Sequence, residues 1–213
     1  MDLTHYNLDA FDYPQASWEY ERELQNLLCK ISDCLYKIIE DRIDIPCNNE
    51  NYIRDILLDI LKDTKTRNDI CLIKGYRFEK EVEENSGRAD LKIININDFE
   101  DHNAYYIIEC KRLDGSGRLN KAYVEDGINR FVTSYGSTTG TSYYSSHYGV
   151  NGMIGFIVAE VNVADNIQKL KRYDENLDFE ELESCNIYSS RHTAPEGDRI
   201  KLFHLMIDFS FCT

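Results

Sequence analysis

Two apolar runs separated by a helical pattern constrain this chain more than any other feature. Ala104-Tyr105-Tyr106-Ile107-Ile108 and residues 153–160 both read as strands, and the second lacks alternation, as expected of a strand buried on both faces. Between them, residues 119–135 place Val124, Ile128, Phe131 and Tyr135 at helical spacing. Strand, helix and strand make the crossover that parallel pairing requires. The pattern predicts an α/β fold with a mixed β-sheet flanked by helices. At 213 residues and 42% hydrophobic content, the chain has enough apolar material for one sizeable core.

The remaining elements follow from periodicity. Residues 17–42 read as a long amphipathic helix with Leu24, Leu27, Leu28, Ile31, Leu35 and Ile38 on one stripe. It forms an N-terminal helical extension over residues 1–45, ahead of a domain at 46–213, and its stripe packs either on that domain or on another subunit. Pro46 and Asn48-Asn49 announce a second helix over 49–62, with Ile53, Ile56, Leu57, Ile60 and Leu61 inward. Strand-like alternation over 70–82 ends at Asn85-Ser86-Gly87, and a further strand covers 89–96. Residues 97–103 read as an exposed hairpin loop and 113–117 as a turn. A short helix at 163–172 precedes strands near 185–190 and 199–209, which flank Ala194-Pro195-Glu196-Gly197. The Gly-, Ser-, Thr- and Tyr-rich stretch 136–149 is expected to be mobile. Its Tyr143, Tyr144 and Tyr148 either stack on bases or belong to a disordered loop in a chain with 15 tyrosines.

Composition narrows the function classes. No apolar run approaches the roughly 18 residues of a membrane span, and Met1-Asp2-Leu3-Thr4-His5 lacks a basic segment followed by an apolar one, so a soluble cytoplasmic protein is expected. Seven cysteines without Cys-x-x-Cys or His-x-Cys spacing suggest reduced, mostly buried thiols, with no disulfide framework or zinc site. The net charge of -14 weighs against nucleic-acid binding. Charge is local, however: from Lys111 to Arg130, five basic residues outnumber three acidic ones. No Gly-x-Ser-x-Gly elbow and no Gly-x-x-x-x-Gly-Lys-Ser/Thr run is present, and His204 between Phe203 and Leu205 reads as a hydrogen-bonded sheet residue.

Chemistry concentrates at Glu109-Cys110-Lys111, where the first apolar run ends. In an extended strand, residues two apart project to one face about 6.6 Å from each other, so Glu109 and Lys111 point together and Cys110 points into the core. The strand beginning at Ala89 brings Asp90 alongside. Two neighbouring carboxylates repel unless a cation lies between them, and oxygen ligands suit Mg²⁺. The plainer alternative is a solvated hairpin end with Lys111 as ion-pair partner. Glu50, three residues before Ile53, either extends the helical stripe toward this site or is a first-turn residue paired with Arg54.

Gly87-Arg88-Ala89-Asp90 followed by Glu109-Cys110-Lys111 resembles the PD-(D/E)xK, or restriction-endonuclease-like, nuclease superfamily over about residues 50–156, with Ala89 where that family has proline. The resemblance implies a restriction-endonuclease-like core. It implies that Asp90 and Glu109 bind one or two Mg²⁺ or Mn²⁺ ions together with the Cys110 carbonyl, and that Glu50 completes the shell directly or through water. Lys111 would orient or deprotonate the nucleophile or stabilise phosphorane-like charge, while Lys121, Arg130 and Arg112 would meet backbone phosphates. The implied activity is that of a DNA endonuclease of a microbial restriction or defence type, acting as a homodimer so that two sites cut two strands. A nuclease fold retained as a silent binding or assembly module is the alternative.

Overall fold

The computed structural model describes residues 13–40, 49–84, 87–98, 100–101, 104–133, 143–144, 148–182, 185–195 and 197–210. Seven strands form one mixed sheet in the order β1-β2-β3-β4-β7-β6-β5. They are β1 (Tyr76–Glu84), β2 (Gly87–Asn95), β3 (Tyr106–Leu113), β4 (Val150–Ile157), β5 (Phe179–Glu181), β6 (Ile187–Thr193) and β7 (Arg199–Asp208). The central pairs β3/β4 and β4/β7 are parallel, and the outer pairs are antiparallel. Every residue of β4 is buried, as its unbroken apolar run requires. Gly152 and Gly155 make room there for Ile108 and Met206, whose side chains reach across from the neighbouring strands.

One face of the sheet is covered by α1 (Tyr13–Glu40) and α2 (Glu50–Lys62). Leu24, Leu28, Ile31 and Leu35 of α1 and Ile53, Leu57 and Leu61 of α2 share one core with Ile108, Ile154 and Leu205. Each such side chain contributes about 1.5–3 kcal/mol on burial. The α1 stripe is thus satisfied within its own chain and is not available as a subunit interface. The Glu23 carboxylate adds polar anchorage by accepting from the Tyr76 and Tyr106 hydroxyls and from Asn95 Nδ2. The helix starts where expected because Asn49 caps it: its side chain accepts the Tyr52 N–H, and Glu50 lies at the positive end of the helix dipole.

The other face is covered by α3 (Gly117–Tyr123), a π-helical turn (Val124–Ile128), α4 (Asn129–Val132) and α5 (Val163–Leu170). Tyr123, Val124, Ile128 and Phe131 pack there against Ile107, Leu113 and Met153. The crossover helix therefore exists but is interrupted, and Gly127 sits at the interruption. A Cβ at Gly127 would lie 2.6 Å from Met153 Cε and 3.4 Å from Lys111 Cγ, so glycine lets the helix rest on the Lys111 stem.

Three expectations need correction. Residues 70–75 are not strand: a π-helical turn, Thr66–Ile70, precedes an irregular link, and β1 starts at Tyr76. Cys34 and Cys71 form a disulfide tying α1 to the end of that turn, whereas Cys29, Cys110 and Cys185 are free thiols. Their separation of 37 residues left no spacing signal, because the fold alone brings them together. Tyr144 and Tyr148 are buried, with Tyr148 stacked on Tyr20 at 3.9 Å, so neither ring is presented to a base. Most of the stretch around them, 134–142 and 145–147, lies outside the described residues. Among the described residues no helix is long and apolar enough to cross a membrane.

Candidate active site

The site is made by strands parting. The β2/β3 ladder runs from Ile93↔Tyr106 to Leu91↔Ile108 and ends there, one residue short of Asp90 and Glu109. On its other side β2 pairs with β1 at Lys80↔Leu91 and Val82↔Ala89, and Glu81 between them has a left-handed backbone, φ 50°. Such an irregularity bends a strand and re-aims its side chains. Asp90 then fills the gap with its own carboxylate: Oδ2 accepts the Cys110 backbone N–H at 2.8 Å.

Past that point β3 carries Glu109 and Lys111 on the face toward the crossover helix, and Cys110 is wholly buried on the other, as strand alternation demands. Lys111 Nζ donates to Glu109 Oε1 at 2.6 Å and to the Cys110 carbonyl at 3.1 Å. Glu50 Oε1 lies 3.6 Å from the same ammonium, and Glu50 Oε2 accepts the Arg112 N–H at 3.0 Å. Glu50 therefore reaches the end of β3. Its expected helical partner Arg54 turns instead to Asp90 Oδ1, at 2.7 Å.

Two residues that the motif did not reveal complete the arrangement. Arg54, 5% exposed, spans Asp90, Glu81 and Asp55. Tyr144 has its hydroxyl 2.8 Å from Glu109 Oε2 and 2.7 Å from the Arg88 carbonyl, and accepts from Arg130 Nη1 at 2.6 Å. In the sequence Arg54 figures only as a helical partner of Glu50, and its contact with Asp90, 36 residues away, leaves no local signal. Tyr144 lay in a stretch whose composition hid it.

Burial, reinforced by the neighbouring Asp90, pushes the Glu109 carboxyl up to about 7 against the pull of Lys111 and Arg130. Burial alone would lower the Lys111 ammonium, but Glu109 and Glu50 outweigh it and hold the group above its ordinary value. Lys111 is thus a cation here while it stays in contact with Glu109 and Glu50. Of the expected phosphate-binding residues, Arg130 approaches Glu109 Oε1 to 3.8 Å and faces the site. Arg112 contributes its backbone N–H to Glu50. Lys121 is exposed and pairs with Glu125 at 3.6 Å one helical turn on.

Among the described residues no group of three or more His, Cys, Asp or Glu side chains is gathered as a metal cluster. The oxygens that do converge are of mixed origin: Glu109 Oε1, the Cys110 carbonyl and Glu50 Oε1 surround one point, which the Lys111 ammonium holds. Hard oxygen donors from carboxylate and carbonyl are the set that Mg²⁺ prefers, so the residues fit such an ion, with Lys111 displaced from the nest. Comparison with family models, curated proteins and solved structures found no match to this chain. The geometry stands alone.

Proposed function

We propose that this chain is a divalent-metal-dependent nuclease of the PD-(D/E)xK type, hydrolysing phosphodiester bonds in DNA. The observation that carries the reading is the oxygen nest at the parting of β2 and β3, where a cation is already held by Glu109 and the Cys110 carbonyl while Asp90 is fixed against the Cys110 N–H. Asp90, Glu109 and the Cys110 carbonyl would hold Mg²⁺ or Mn²⁺, with Glu50 completing the shell. When bound, the ion supplies charge neutralisation at the phosphate and a lowered pKa for a coordinated water.

The chain's own groups do the rest. Lys111, displaced from the nest but tethered beside it, keeps its charge and stabilises negative charge that develops on the phosphate oxygens. Arg130 adds a second cation from the crossover helix, and Tyr144 holds both Arg130 and Glu109 in place. The basic stretch from Lys111 to Arg130 guides the backbone of the substrate in an otherwise acidic protein. A homodimer would cut both strands of a duplex, through a surface other than the α1 stripe.

One observation favours the silent-module alternative: five carboxylates at the site (Glu50, Asp55, Glu81, Asp90, Glu109) face five protein cations (Arg54, Lys80, Arg88, Lys111, Arg130), so the charges balance without a metal. Cleavage assays across single- and double-stranded DNA and RNA, with Mg²⁺, Mn²⁺ or EDTA, separate the two. The nuclease reading expects cleavage only with the cation and none from Glu109→Gln or Lys111→Ala. Undiminished cleavage in EDTA would rule it out. Folded wild type that cleaves nothing and takes up no Mn²⁺ would leave the module.

A further inference from the structure

Of the five cations at this site, the two most buried, Lys111 and Arg54, are held in different ways. Lys111 ends a flexible stem, with one short contact and two longer ones, at 2.6, 3.1 and 3.6 Å. Arg54 is rooted in α2 and almost fully buried, and its planar fork meets three different carboxylates. Nη1 donates to Asp90 Oδ1 at 2.7 Å, Nη2 to Glu81 Oε1 at 3.0 Å and to Asp55 Oδ1 at 3.1 Å, and Nε to Asp55 Oδ1 at 3.2 Å. Lys80 and Arg88 close the outer side by binding Asp55 and Glu81.

We infer that Arg54 fills the place of a second cation, so that the centre takes a single divalent ion, in the nest of Glu109 and the Cys110 carbonyl, to which Asp90 can offer only Oδ2 because Arg54 holds Oδ1. A guanidinium cannot leave by losing its proton, and withdrawing it would strand the buried Asp90 carboxylate and strip one partner each from Asp55 and Glu81. An ammonium on a four-carbon stem can swing aside while keeping its charge in water or on a phosphate. The carboxylate that a second ion would have to share is Asp90, whose Oδ1 is the atom Arg54 holds and whose Oδ2 accepts from Cys110. Of the two oxygen clusters, one is thus open to exchange and the other is closed by the fold.

The inference rests on the nuclease reading and is tested by counting ions. Calorimetric titration of the full chain with Mn²⁺ should give one ion per chain, and the same for Arg54→Lys, which keeps the charge. Arg54→Ala, shown folded by a cooperative melt, should take up two, because Asp90 then loses its cation and three carboxylates are left with only Lys80 on Asp55 and Arg88 on Glu81. Two ions on wild type, or one on folded Arg54→Ala, overturns the inference and leaves the nuclease reading standing. No uptake by folded wild type removes both. Should Arg54→Ala not fold, anomalous scattering from wild-type crystals grown with Mn²⁺ decides: a single peak at Glu109 and the Cys110 carbonyl supports the assignment, and a peak against Asp55 or Glu81 overturns it.

Discussion

Glu109→Gln should make the metal-free protein more stable at alkaline pH while abolishing its proposed activity. The Glu109 carboxyl is buried beside Asp90 and titrates near 7 in place of its ordinary 4.5. A folded-state value above the unfolded one means that ionisation opposes folding. Below about pH 4.5 the group is protonated in both states and costs nothing; between 4.5 and 7 the unfolded chain ionises first and stability falls as pH rises; above 7 the full cost remains. The interval corresponds to about 3 kcal/mol. Glutamine imitates the neutral acid, so urea unfolding at about pH 8.5 should show the variant more stable by about 3 kcal/mol, with the gap nearly closed by about pH 4.5. Mn²⁺ should then raise the stability of wild type above pH 7 and leave the variant unmoved. A variant less stable than wild type at about pH 8.5 would refute the reasoning, because it would mean that the contact with Lys111 makes the ionised form net stabilising.

Other expectations follow from contacts already described. Glu23→Ala strands the Tyr76 and Tyr106 hydroxyls and Asn95 Nδ2, and should cost about 2–4 kcal/mol in chemical denaturation; Glu23→Gln should recover part of it, and equal loss in both would show that the carboxylate's charge is essential. His204 accepts burial as a neutral ring bonded to Tyr123 and Ser190, and burial lowers it to about 3 and His192 to about 4. Because the unfolded chain takes up these protons first, the two rings together outweigh the opposite slope of Glu109 and stability should drop as pH falls from 6.5 toward 4; in the Glu109→Gln background His192→Gln should lessen the slope by about half. An unchanged slope would show that these rings are not the source. Gly152→Ala brings a Cβ within 2.5 Å of Ile108 Cδ1, and overpacking of this kind costs about 1–3 kcal/mol; Ile108→Val in the same chain should restore most of the loss in thermal melts.

Much of this architecture was legible because the signals were local. The apolar runs at β3 and β4, the cap at Asn49 and the Glu109/Lys111 alternation each depend on neighbours within a few residues, and each is found close to its expected place. What escaped was set by distance in the chain. Arg54 had Glu50 four residues away as an obvious partner, yet took Asp90 from 36 residues away because α2 lies across the wedge between β2 and β3. Tyr144 reached Glu109 from a stretch that composition assigned to a loop. The Cys34–Cys71 bond, the π-helical turn at Val124–Ile128 and the short edge strand β5 likewise have no periodic signature. Asp90, Glu109, Glu50, Lys111 and Arg130 could be named from the sequence, but not Arg54 or the Asp55 and Glu81 carboxylates it also holds.

The seating of α1 has a consequence for how this protein must be made. Its apolar stripe lies against β4 and β7, and Glu21 bonds Lys201 at 2.9 Å across 180 residues of sequence. On a ribosome the helix emerges before its seat, whose last strand arrives some 160 residues later, a delay on the order of ten seconds. Through that interval Leu24, Leu28, Ile31 and Leu35 have only a partial surface to cover them. Production of the chain should therefore depend on elongation rate and chaperone supply more than the stability of the finished fold would suggest, and slowing translation should lengthen the window in which nascent chains associate wrongly.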